Sequence, residues 1–340
     1  MRETDRRFPW LVAEMSANHD RCLEQAFKLV DVAAESGWTH LKLQTYDASS
    51  LTLKSNHPSQ LIDEVWGYRT LHELYEAAAM PMEFHQPLFD YARDRGLVPF
   101  TSVYDPKDMD FLEALACPIY KIASFEMTYD DLIEEVAATK KPVILSTGMA
   151  AIEEVRHACE IFTKAGGGEL TLLHCCSAYP APIPSINLSA MTQLKATFGC
   201  KVGFSDHTEG SLAATIAVAM GASVIEKHFT NDSSRSGPDH RFSATPEVMR
   251  EIRDNVHQLF QALGSGVKEV ALEELENREK GRRSAFALRD ISPGELITKD
   301  DFRFVRPAVG IKANERELII GKRALKKIKK LNPILVGDLD

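Results

Sequence analysis

The feature that most constrains the fold of this chain is a repeated unit, in which a short apolar β-rich run is followed by an amphipathic segment. Eight such runs occur in order, at residues 10–15, 40–46, 97–102, 119–124, 142–147, 170–176, 201–207 and 223–229. Because the runs are almost continuously apolar, each predicts a parallel strand that is covered on both faces. Intervening segments such as 22–37 and 212–223 place apolar residues at i, i+3 and i+4, which predicts helices.

Eight strands that alternate with helices predict an α/β fold, a (β/α)8 TIM barrel over residues ~8–265. A doubly wound sheet is the alternative, but no G-x-G-x-x-G motif follows the first run. The second connection, 46–97, is unusually long, and its segment WGYRTLHELYEAAAMP predicts a helix beside an irregular loop. Long loops of this kind commonly shape a substrate pocket.

The C-terminal part of the chain has a different character. We expect a barrel domain over 1–266, a charged helical linker over 267–281 and a small β-rich domain over 282–340, where the turn DISPGE lies. Residues 282–340 hold 14 basic and 8 acidic residues, a net charge of +6, whereas the whole chain carries −9. A solvated surface of mixed charge explains this better than nucleic-acid binding, since no basic stripe interleaved with aromatic residues is present.

The sequence also indicates where such a protein works. The first ten residues contain no apolar signal region, and no apolar run approaches the ~20 residues that a membrane span needs. Six cysteines are scattered along the chain without a C-x-x-C pair. We therefore expect a cytoplasmic protein with reduced thiols and no membrane association.

Polar side chains follow or end almost every predicted strand. They are Glu14, Lys42, Gln44, Thr101, Ser102, Lys121, Ser124, Glu126, Ser146, Thr147, Ser177, Tyr179, Ser205, His207 and His228. A barrel of this type builds its active site at the carboxyl ends of its strands. The pattern therefore predicts that these side chains meet in one site.

Two lysines within this set stand between apolar residues, Lys42 in LKLQ and Lys121 in YKIAS. Burying an ammonium group is costly unless an anion pairs with it. Together with the strand-end serines, the two lysines suit a ligand that carries both a phosphate and a carboxylate. The alternative is a pair of internal Lys–Glu ion pairs, for which Glu14 and Glu126 are available.

Two histidines end consecutive predicted strands, His207 in SDHT and His228 in EKHF. Imidazoles from adjacent strands can share one divalent ion and leave its other positions to water and substrate. A hydrated Mn²⁺ fits that chemistry, although imidazole also accepts other metals. His19 is either a ligand or a capping residue, and Asp239 either binds sugar hydroxyls or belongs to a solvated loop.

Motifs along the chain then point to a family. EMSANH, LKLQTY, YKIASFE, ILSTGM, CCSAYPAP, GFSDHT, IEKHF and SGPD occur in this order, and RRS and VRPAVGI follow downstream. With these motifs the chain resembles the sialic acid, legionaminic acid and pseudaminic acid synthases over nearly its whole length. EMSANH, ASFE and SAYPAP are most similar to the pseudaminic acid branch.

This resemblance implies a TIM barrel with an antifreeze-like (SAF) domain in a domain-swapped homodimer, and it implies residue roles. His207 and His228 would hold a metal, usually Mn²⁺ with Mg²⁺ or Co²⁺ as alternatives. Phosphoenolpyruvate would be bound by Lys42, Ser102, Lys121, Ser124, Ser146, Ser177 and Ser205. Glu14 and Glu126 would be catalytic carboxylates beside the sugar. The sugar would also contact Gln44, Tyr179, Asp239 and Arg306, the last reaching in from the partner subunit.

The expected reaction joins phosphoenolpyruvate to an open-chain N-acetylated amino sugar, with a 2,4-diacetamido-2,4,6-trideoxyhexose favoured, to give pseudaminic acid and phosphate. The family pattern is altered at TSVYD (101–105), at Cys176, and at His240 and Arg241 beside Asp239, which leaves the exact sugar open. The alternatives are an N-acetylneuraminate or legionaminate synthase, an aldolase-type barrel that forms a lysine Schiff base, and a non-catalytic carbohydrate-binding protein.

Overall fold

The computed structural model describes residues 8–62 and 67–340, which form two units, one ending at Leu263 and the other spanning Gly264–Asp340. In the first unit, eight parallel strands pair in chain order and β8 returns to pair with β1, which closes a barrel. The strands are β1 Trp10–Glu14, β2 His40–Thr45, β3 Val98–Val103, β4 Tyr120–Ile122, β5 Val143–Ser146, β6 Leu170–Cys175, β7 Lys201–Asp206 and β8 Val224–His228. The predicted (β/α)8 barrel is confirmed, and the doubly wound alternative is wrong.

Ten helices of this unit are described. They are α1 Leu23–Glu35, α2 Ala48–Leu51, α3 Leu71–Ala78, α4 His85–Asp94, α5 Met109–Ala114, α6 Asp130–Ala138, α7 Ile152–Lys164, α8 Ala190–Phe198, α9 Leu212–Ala219 and α10 Pro246–Leu263. The amphipathic pattern decides which face each helix turns to the barrel. In α1, for example, Ala26, Leu29, Val30 and Ala33 are fully buried at the i, i+3, i+4 and i+7 positions.

The long second connection contains α2, α3 and α4 with irregular segments between them, as predicted. Thr70 begins α3 through a capping box, because its hydroxyl accepts the backbone N–H of Glu73 at 3.2 Å. The Glu73 carboxylate accepts the N–H of Thr70 in return, at 3.1 Å. Trp66, the first residue of the segment that predicted this helix, lies outside the described residues.

Alternation along the strands explains how a buried barrel can carry polar groups. On β8, Ile225 and Lys227 share one face, while Val224, Glu226 and His228 share the other. Glu226 and His228 line the cavity at the carboxyl end of the barrel, and so do Ser205 and His207 from β7 and the residue after it. The inward positions therefore change from apolar to polar as each strand approaches that end.

The second unit contains helix α11 Leu275–Gly281 and an antiparallel pair of strands, β9 Ser284–Ala287 and β10 Phe302–Val305. Isolated β-bridges and an isoleucine-rich core, which includes Ile291, Ile319 and Ile334, complete it. The helix predicted over 267–281 is shorter in the structure, because Ala271 is in an extended conformation and begins a 3-10 turn there. Within the described residues, no helix combines the length and the apolar character that crossing a bilayer requires.

Candidate active site

The strand-end residues lie around one cavity of about 290 Å³ at the carboxyl end of the barrel. From the predicted set, the cavity wall contains Glu14, Lys42, Gln44, Lys121, Ser124, Glu126, Ser146, Tyr179, Ser205, His207, His228 and Asp239. These residues come from β1, β2 and β4–β8 or from the loops that follow them. Seven strands thus contribute to one wall, as the sequence pattern predicts for a barrel active site.

The two buried lysines have different surroundings. The Lys42 ammonium lies 2.7 Å from Glu14 Oε2, and it donates to Ser102 Oγ at 2.9 Å. The internal ion pair considered for Lys42 therefore exists. Lys121 Nζ contacts only a backbone carbonyl, that of Ile122 at 3.1 Å, and forms no ion pair within residues 8–62 and 67–340. Lys121 is thus a fully buried cation that lacks a carboxylate partner, which is how a site for an anionic ligand is built.

Burial and neighbouring carboxylates act in opposite directions on the pKa values of the two lysines. Burial acts to lower the pKa of Lys42, but the carboxylates of Glu14 and Glu226 outweigh it and leave that pKa raised. For Lys121, burial prevails and the pKa is lowered despite the more distant Glu226 carboxylate. The charge of Lys121 is therefore less stabilised by the protein than that of Lys42, and a bound anion would stabilise it more.

Hydroxyl groups form a cradle next to Lys121. Ser124 Oγ accepts the backbone N–H of Gly148 at 3.1 Å and lies 3.2 Å from Cys175 Sγ. The hydroxyls of Ser146 and Ser177 are buried and have no hydrogen-bond partner among the residues that the structure describes. Unpaired buried hydroxyls are costly, so this pair of donors points to a ligand that accepts hydrogen bonds.

A glycine keeps this cradle open. A Cβ atom at position 148 would overlap Ser177 Oγ, would lie 2.7 Å from Cys175 Sγ and 2.9 Å from Ser124 Oγ. Ser102 and Ser177 are absent from the cavity wall itself. Ser102 accepts a hydrogen bond from Lys42, which is in the wall, and Ser177 lies beside Gly148 in the cradle. Of the seven residues predicted to bind phosphoenolpyruvate, the other five are in the wall.

One charged residue of the site was not identified from the sequence. Glu226 is buried on the inner face of β8, accepts the hydroxyl of Ser205 at 2.9 Å and lies 3.7 Å from Lys42 Nζ. Burial would raise its pKa, but Lys121, Lys42 and the Ser205 hydrogen bond outweigh burial and lower it. Glu226 therefore stays ionised and balances the positive charge of the lysines.

The two strand-end histidines are neighbours, with ring centroids 5.5 Å apart. His207 Nδ1 contacts the carbonyl oxygen of Cys176 at 2.9 Å, which makes Nδ1 the protonated nitrogen and leaves a lone pair on Nε2. His228 Nδ1 is buried and has no hydrogen-bond partner within residues 8–62 and 67–340. Burial lowers the pKa of both imidazoles, that of His228 far below its ordinary value, so both are neutral at neutral pH.

These observations fit the predicted metal ligands. A neutral imidazole with an available nitrogen is the form that binds a divalent ion. No cluster of three or more His, Cys, Asp or Glu side chains suitable for a metal occurs in the described parts of the chain. Two imidazoles would leave the other coordination positions of a divalent ion to water or substrate, as in an open catalytic site.

Two carboxyl groups of the cavity wall, those of Glu14 and Glu126, have pKa values near neutral pH and can therefore both accept and donate protons. Burial raises the pKa of Glu14 to about 7 against the attraction of Lys42, and the Glu226 carboxylate adds to the rise. Burial also raises the pKa of Glu126 to about 7, opposed by Lys121. Glu126 Oε2 is buried and has no hydrogen-bond partner in the described parts of the chain. Glu14, in contrast, is held by Lys42 and by Gln44, each at 2.7 Å.

The same cavity wall carries residues predicted to contact a sugar, among them Asp239 and Tyr179. Asp239 accepts hydrogen bonds from the hydroxyl of Ser16 and from the N–H of Ala17, the latter at 3.2 Å. Burial raises the pKa of Asp239 in spite of these hydrogen bonds. The Tyr179 ring lies 4.3 Å from the ring of His207, centroid to centroid, and so adjoins the proposed metal ligands. Sequence reasoning missed the largely apolar part of this wall, which comes mainly from connecting segments: Tyr46, Leu51, Leu74, Tyr75, Tyr104 and Phe242.

Three other residues considered from the sequence lie elsewhere. Arg306 belongs to the second unit, directly after β10. His19 is buried outside the cavity wall, where its Nδ1 accepts the N–H of Arg21 at 2.9 Å, so it stabilises a turn. His174 Nε2 lies 2.6 Å from the carbonyl oxygen of Ile186, which also indicates a structural role. All six cysteines are free thiols.

Comparison with known proteins agrees with this architecture. The NeuB family profile matches residues 29–268, and the SAF domain profile matches residues 282–340. The pseudaminic acid synthase of Helicobacter pylori is 39% identical over 333 residues, with 98% of each chain covered. The N,N'-diacetyllegionaminic acid synthase of Legionella pneumophila is 38% identical over 319 residues, covering 92% of this chain and 90% of that protein.

Among solved structures, the spore coat polysaccharide biosynthesis protein SpsE of Bacillus subtilis is 31% identical with a TM-score of 0.67. That alignment covers 98% of this chain and 95% of SpsE. The NeuB match begins after β1 and includes β2–β8, and the SAF match lies in the second unit. The chain therefore belongs to the NeuB family and carries a SAF domain at its C-terminal end.

Proposed function

We propose that this protein condenses phosphoenolpyruvate with an open-chain N-acetylated amino sugar to give a nonulosonic acid and phosphate. A 2,4-diacetamido-2,4,6-trideoxyhexose, giving pseudaminic acid, is the favoured pair of substrate and product. The observation that carries the proposal is a single cavity whose wall combines two neutral imidazoles with a buried lysine that has no ion-pair partner among the described residues. The similar identity to a legionaminic acid synthase keeps legionaminate or N-acetylneuraminate synthesis from a related sugar as the alternative.

Phosphoenolpyruvate fits the part of the cavity around the two lysines because it carries a phosphate and a carboxylate on the same carbon. Lys42 and Lys121 provide the two positive charges, and the unpaired hydroxyls of Ser146 and Ser177 provide donors. Ammonium–oxyanion hydrogen bonds are about twice as strong as neutral ones, so the ligand is held tightly and in one orientation. Binding in one orientation brings the methylene carbon towards the sugar aldehyde and removes much of the entropic barrier.

His207 and His228 would hold a divalent ion, with Mn²⁺ favoured over Mg²⁺ or Co²⁺. Such an ion supplies Lewis-acid polarisation of the aldehyde oxygen. The hydrogen bond from His207 to the Cys176 carbonyl orients the imidazole for this role, as partners of metal-bound histidines generally do. Gln44, Tyr179 and Asp239 would orient the sugar on the same side of the cavity.

The reaction needs one proton delivered and one removed. The π electrons of phosphoenolpyruvate form the new C–C bond, the aldehyde oxygen gains a proton, and positive charge develops at C2. Water adds at C2 and loses one proton. The resulting C2 hydroxyl gives up its remaining proton as the ketone forms, and that proton leaves with the phosphate when the C–O bond to phosphate breaks. Glu126 is the better acceptor for the water proton, because its Oε2 has no partner. Glu14, with a pKa of about 7, would carry the other proton.

We also propose the assembly that the family resemblance implies. Arg306, which lies in the SAF-containing unit, would complete the sugar site of a partner subunit in a domain-swapped homodimer working in the cytoplasm. Neither nucleic acid nor membrane is expected as a partner. The SAF match over residues 282–340 supports the domain on which this assembly depends.

The test is an assay of phosphate released from phosphoenolpyruvate with each of three sugars: N-acetylmannosamine and two diacetamido-trideoxyhexoses of different stereochemistry. Release must require both the sugar and a divalent ion, and the product must contain all carbons of both substrates by mass spectrometry. Phosphate release without sugar, or none with any sugar, contradicts the proposal. Borohydride trapping of a covalent adduct would indicate the aldolase-type alternative instead.

A further inference from the structure

The loops that follow β1 and β8 are joined by a buried network that the proposed reaction does not use. β1 and β8 are paired strands, so the segments after them, 15–22 and 229–245, emerge side by side. Asn18 donates to the Phe229 carbonyl at 2.7 Å and to Ser243 Oγ at 2.9 Å. The Ser243 hydroxyl in turn donates to the backbone carbonyl of Asp239 at 2.7 Å.

Asp20 is the centre of a second set of contacts between these loops. His240 Nε2 lies 2.9 Å from Asp20 Oδ1, and Arg235 Nε donates to Asp20 Oδ2 at 2.9 Å. The other nitrogen of His240, Nδ1, lies 2.7 Å from the hydroxyl of Thr230. Asp20 has a left-handed backbone with φ of 50°, which a non-glycine residue adopts only when its surroundings hold it there. We call Asp20, Arg235 and His240 the latch.

The latch fixes the position of Asp239, the residue directly before His240. His240 is fully buried with both ring nitrogens in hydrogen bonds, and a Cβ atom at Gly237 would lie 2.8 Å from its ring. The ring therefore has no room to turn. Asp239 precedes it directly and directs its carboxylate to the hydroxyl of Ser16 and the N–H of Ala17, at the wall of the cavity.

We propose that the latch of Asp20, Arg235 and His240 is a positioning device that holds Asp239 in place for sugar binding and so sets affinity for the sugar. This inference rests on the proposed function, because the sugar contact of Asp239 belongs to it.

The lysines and serines proposed to bind phosphoenolpyruvate have no direct contact with the latch within the described residues. Asp239 reaches Lys42 only indirectly, through Ser16, Gln44 and Glu14. Releasing the latch should therefore disturb sugar binding more than phosphoenolpyruvate binding.

Two arginines of the same loop provide a matched comparison. Arg235 binds Asp20, whereas Arg241 is exposed, lies outside the cavity wall and makes no side-chain hydrogen bond in the described structure. We expect Arg235→Met to raise the KM for the sugar roughly three- to tenfold, with the KM for phosphoenolpyruvate within twofold of wild type. Arg241→Met should change neither value. His240→Ala should act in the same direction as Arg235→Met, and His240→Gln, which keeps an N–H donor, should recover part of the affinity.

A double-mutant cycle tests whether the effect passes through Asp239. In an Asp239→Asn background, Arg235→Met should add little to the KM for the sugar, because the group that it positions is already altered. A full additional increase, an equal rise for both substrates, or no change in Arg235→Met overturns the inference. Thermal unfolding of each variant separates these outcomes from a loss of folded protein.

The failure of the proposed function has a different signature. If the wild-type protein releases no phosphate from phosphoenolpyruvate with any of the three sugars, the proposed function is wrong. The proposed role of the latch in sugar binding is then wrong as well. If the wild-type protein is active but Arg235→Met behaves as Arg241→Met does, only the latch is wrong.

Discussion

Replacing Lys121 with methionine should cost substrate affinity and leave stability unchanged or improved. The side chain is 1% exposed, and its ammonium contacts only the Ile122 carbonyl, at 3.1 Å. Burial lowers the pKa of Lys121, which means that the folded protein holds this charge at a cost. Methionine has a similar length and carries no charge, so it fills the space and removes that cost. Glu226 loses the attraction of Lys121 but keeps Lys42 at 3.7 Å, and the pKa of Lys121 is lowered even with Glu226 present, so the gain outweighs this loss.

Lys42 is the matched control, because it is equally buried but paired with Glu14 at 2.7 Å. Breaking a buried ion pair by removing one partner typically destabilises a protein by ~3–5 kcal/mol. Glu14 has a pKa of about 7 and can take up a proton, which brings the expected loss for Lys42→Met to the lower end of that range. For phosphoenolpyruvate, losing one charge-assisted hydrogen bond of ~1.5–3 kcal/mol in either variant weakens binding roughly 10- to 150-fold.

Urea unfolding without ligand and titration calorimetry with phosphoenolpyruvate measure the two effects separately. The stability difference between Lys121→Met and wild type should be largest below the folded pKa of Lys121. It should shrink as the pH rises towards the pKa of an unfolded lysine, because the wild-type charge is then lost in both states. A Lys121→Met protein that is less stable by more than ~1 kcal/mol, or that binds phosphoenolpyruvate as wild type does, refutes the reasoning.

Three further outcomes follow from the site. The pKa of Glu126 rises from 4.5 to about 7 on folding, so the folded state binds more protons in that window and stability falls as the pH increases through it. Glu126→Gln should lose that slope, which is at most ~1.4 kcal/mol per pH unit, and parallel melting curves from pH 5 to 8 would reject the assignment. Gly148→Ala should raise the KM for phosphoenolpyruvate roughly tenfold by pushing the cradle hydroxyls apart, whereas Gly281→Ala, with no atom within 4 Å of its added methyl, should have no effect. His207→Ala should weaken Mn²⁺ binding by at least ~100-fold in an electron paramagnetic resonance titration, and unchanged binding would contradict the metal site.

The barrel could be predicted from sequence because its strands are covered on both faces. Such strands are apolar over their whole length, and all eight predicted runs overlap observed strands, for example 119–124 with Tyr120–Ile122. The loops could not be predicted in the same way, since their conformations depend on tertiary contacts. The wall formed by Leu51 and Leu74 therefore had no signal in the sequence, and the linker helix was predicted several residues too long.

Within the site, the convergence of strand-end side chains was predictable from topology alone, but the pairing of charges was not. Glu226 was missed although its signal was present, because it is two residues before His228 and alternation puts both on the same face of β8. The sequence left two possibilities open for each lysine, an anionic ligand or a carboxylate. Only the structure distinguishes Lys42, which has Glu14, from Lys121, which has no ion-pair partner among the described residues.

Whether a buried charge has an ion-pair partner distinguishes a lysine that stabilises the fold from a lysine that is available to a ligand. Lys227 and Asp206 are as deeply buried as the site lysines and form an ion pair at 2.8 Å, but they lie on the other face of β7 and β8. Lys227 also donates to the Thr208 carbonyl at 2.5 Å, so its surroundings account for its charge. Burial alone would rank Lys227 with Lys121. The unpaired state of Lys121, together with the unpartnered hydroxyls beside it, is a cost that folding does not explain and that a bound anion would remove.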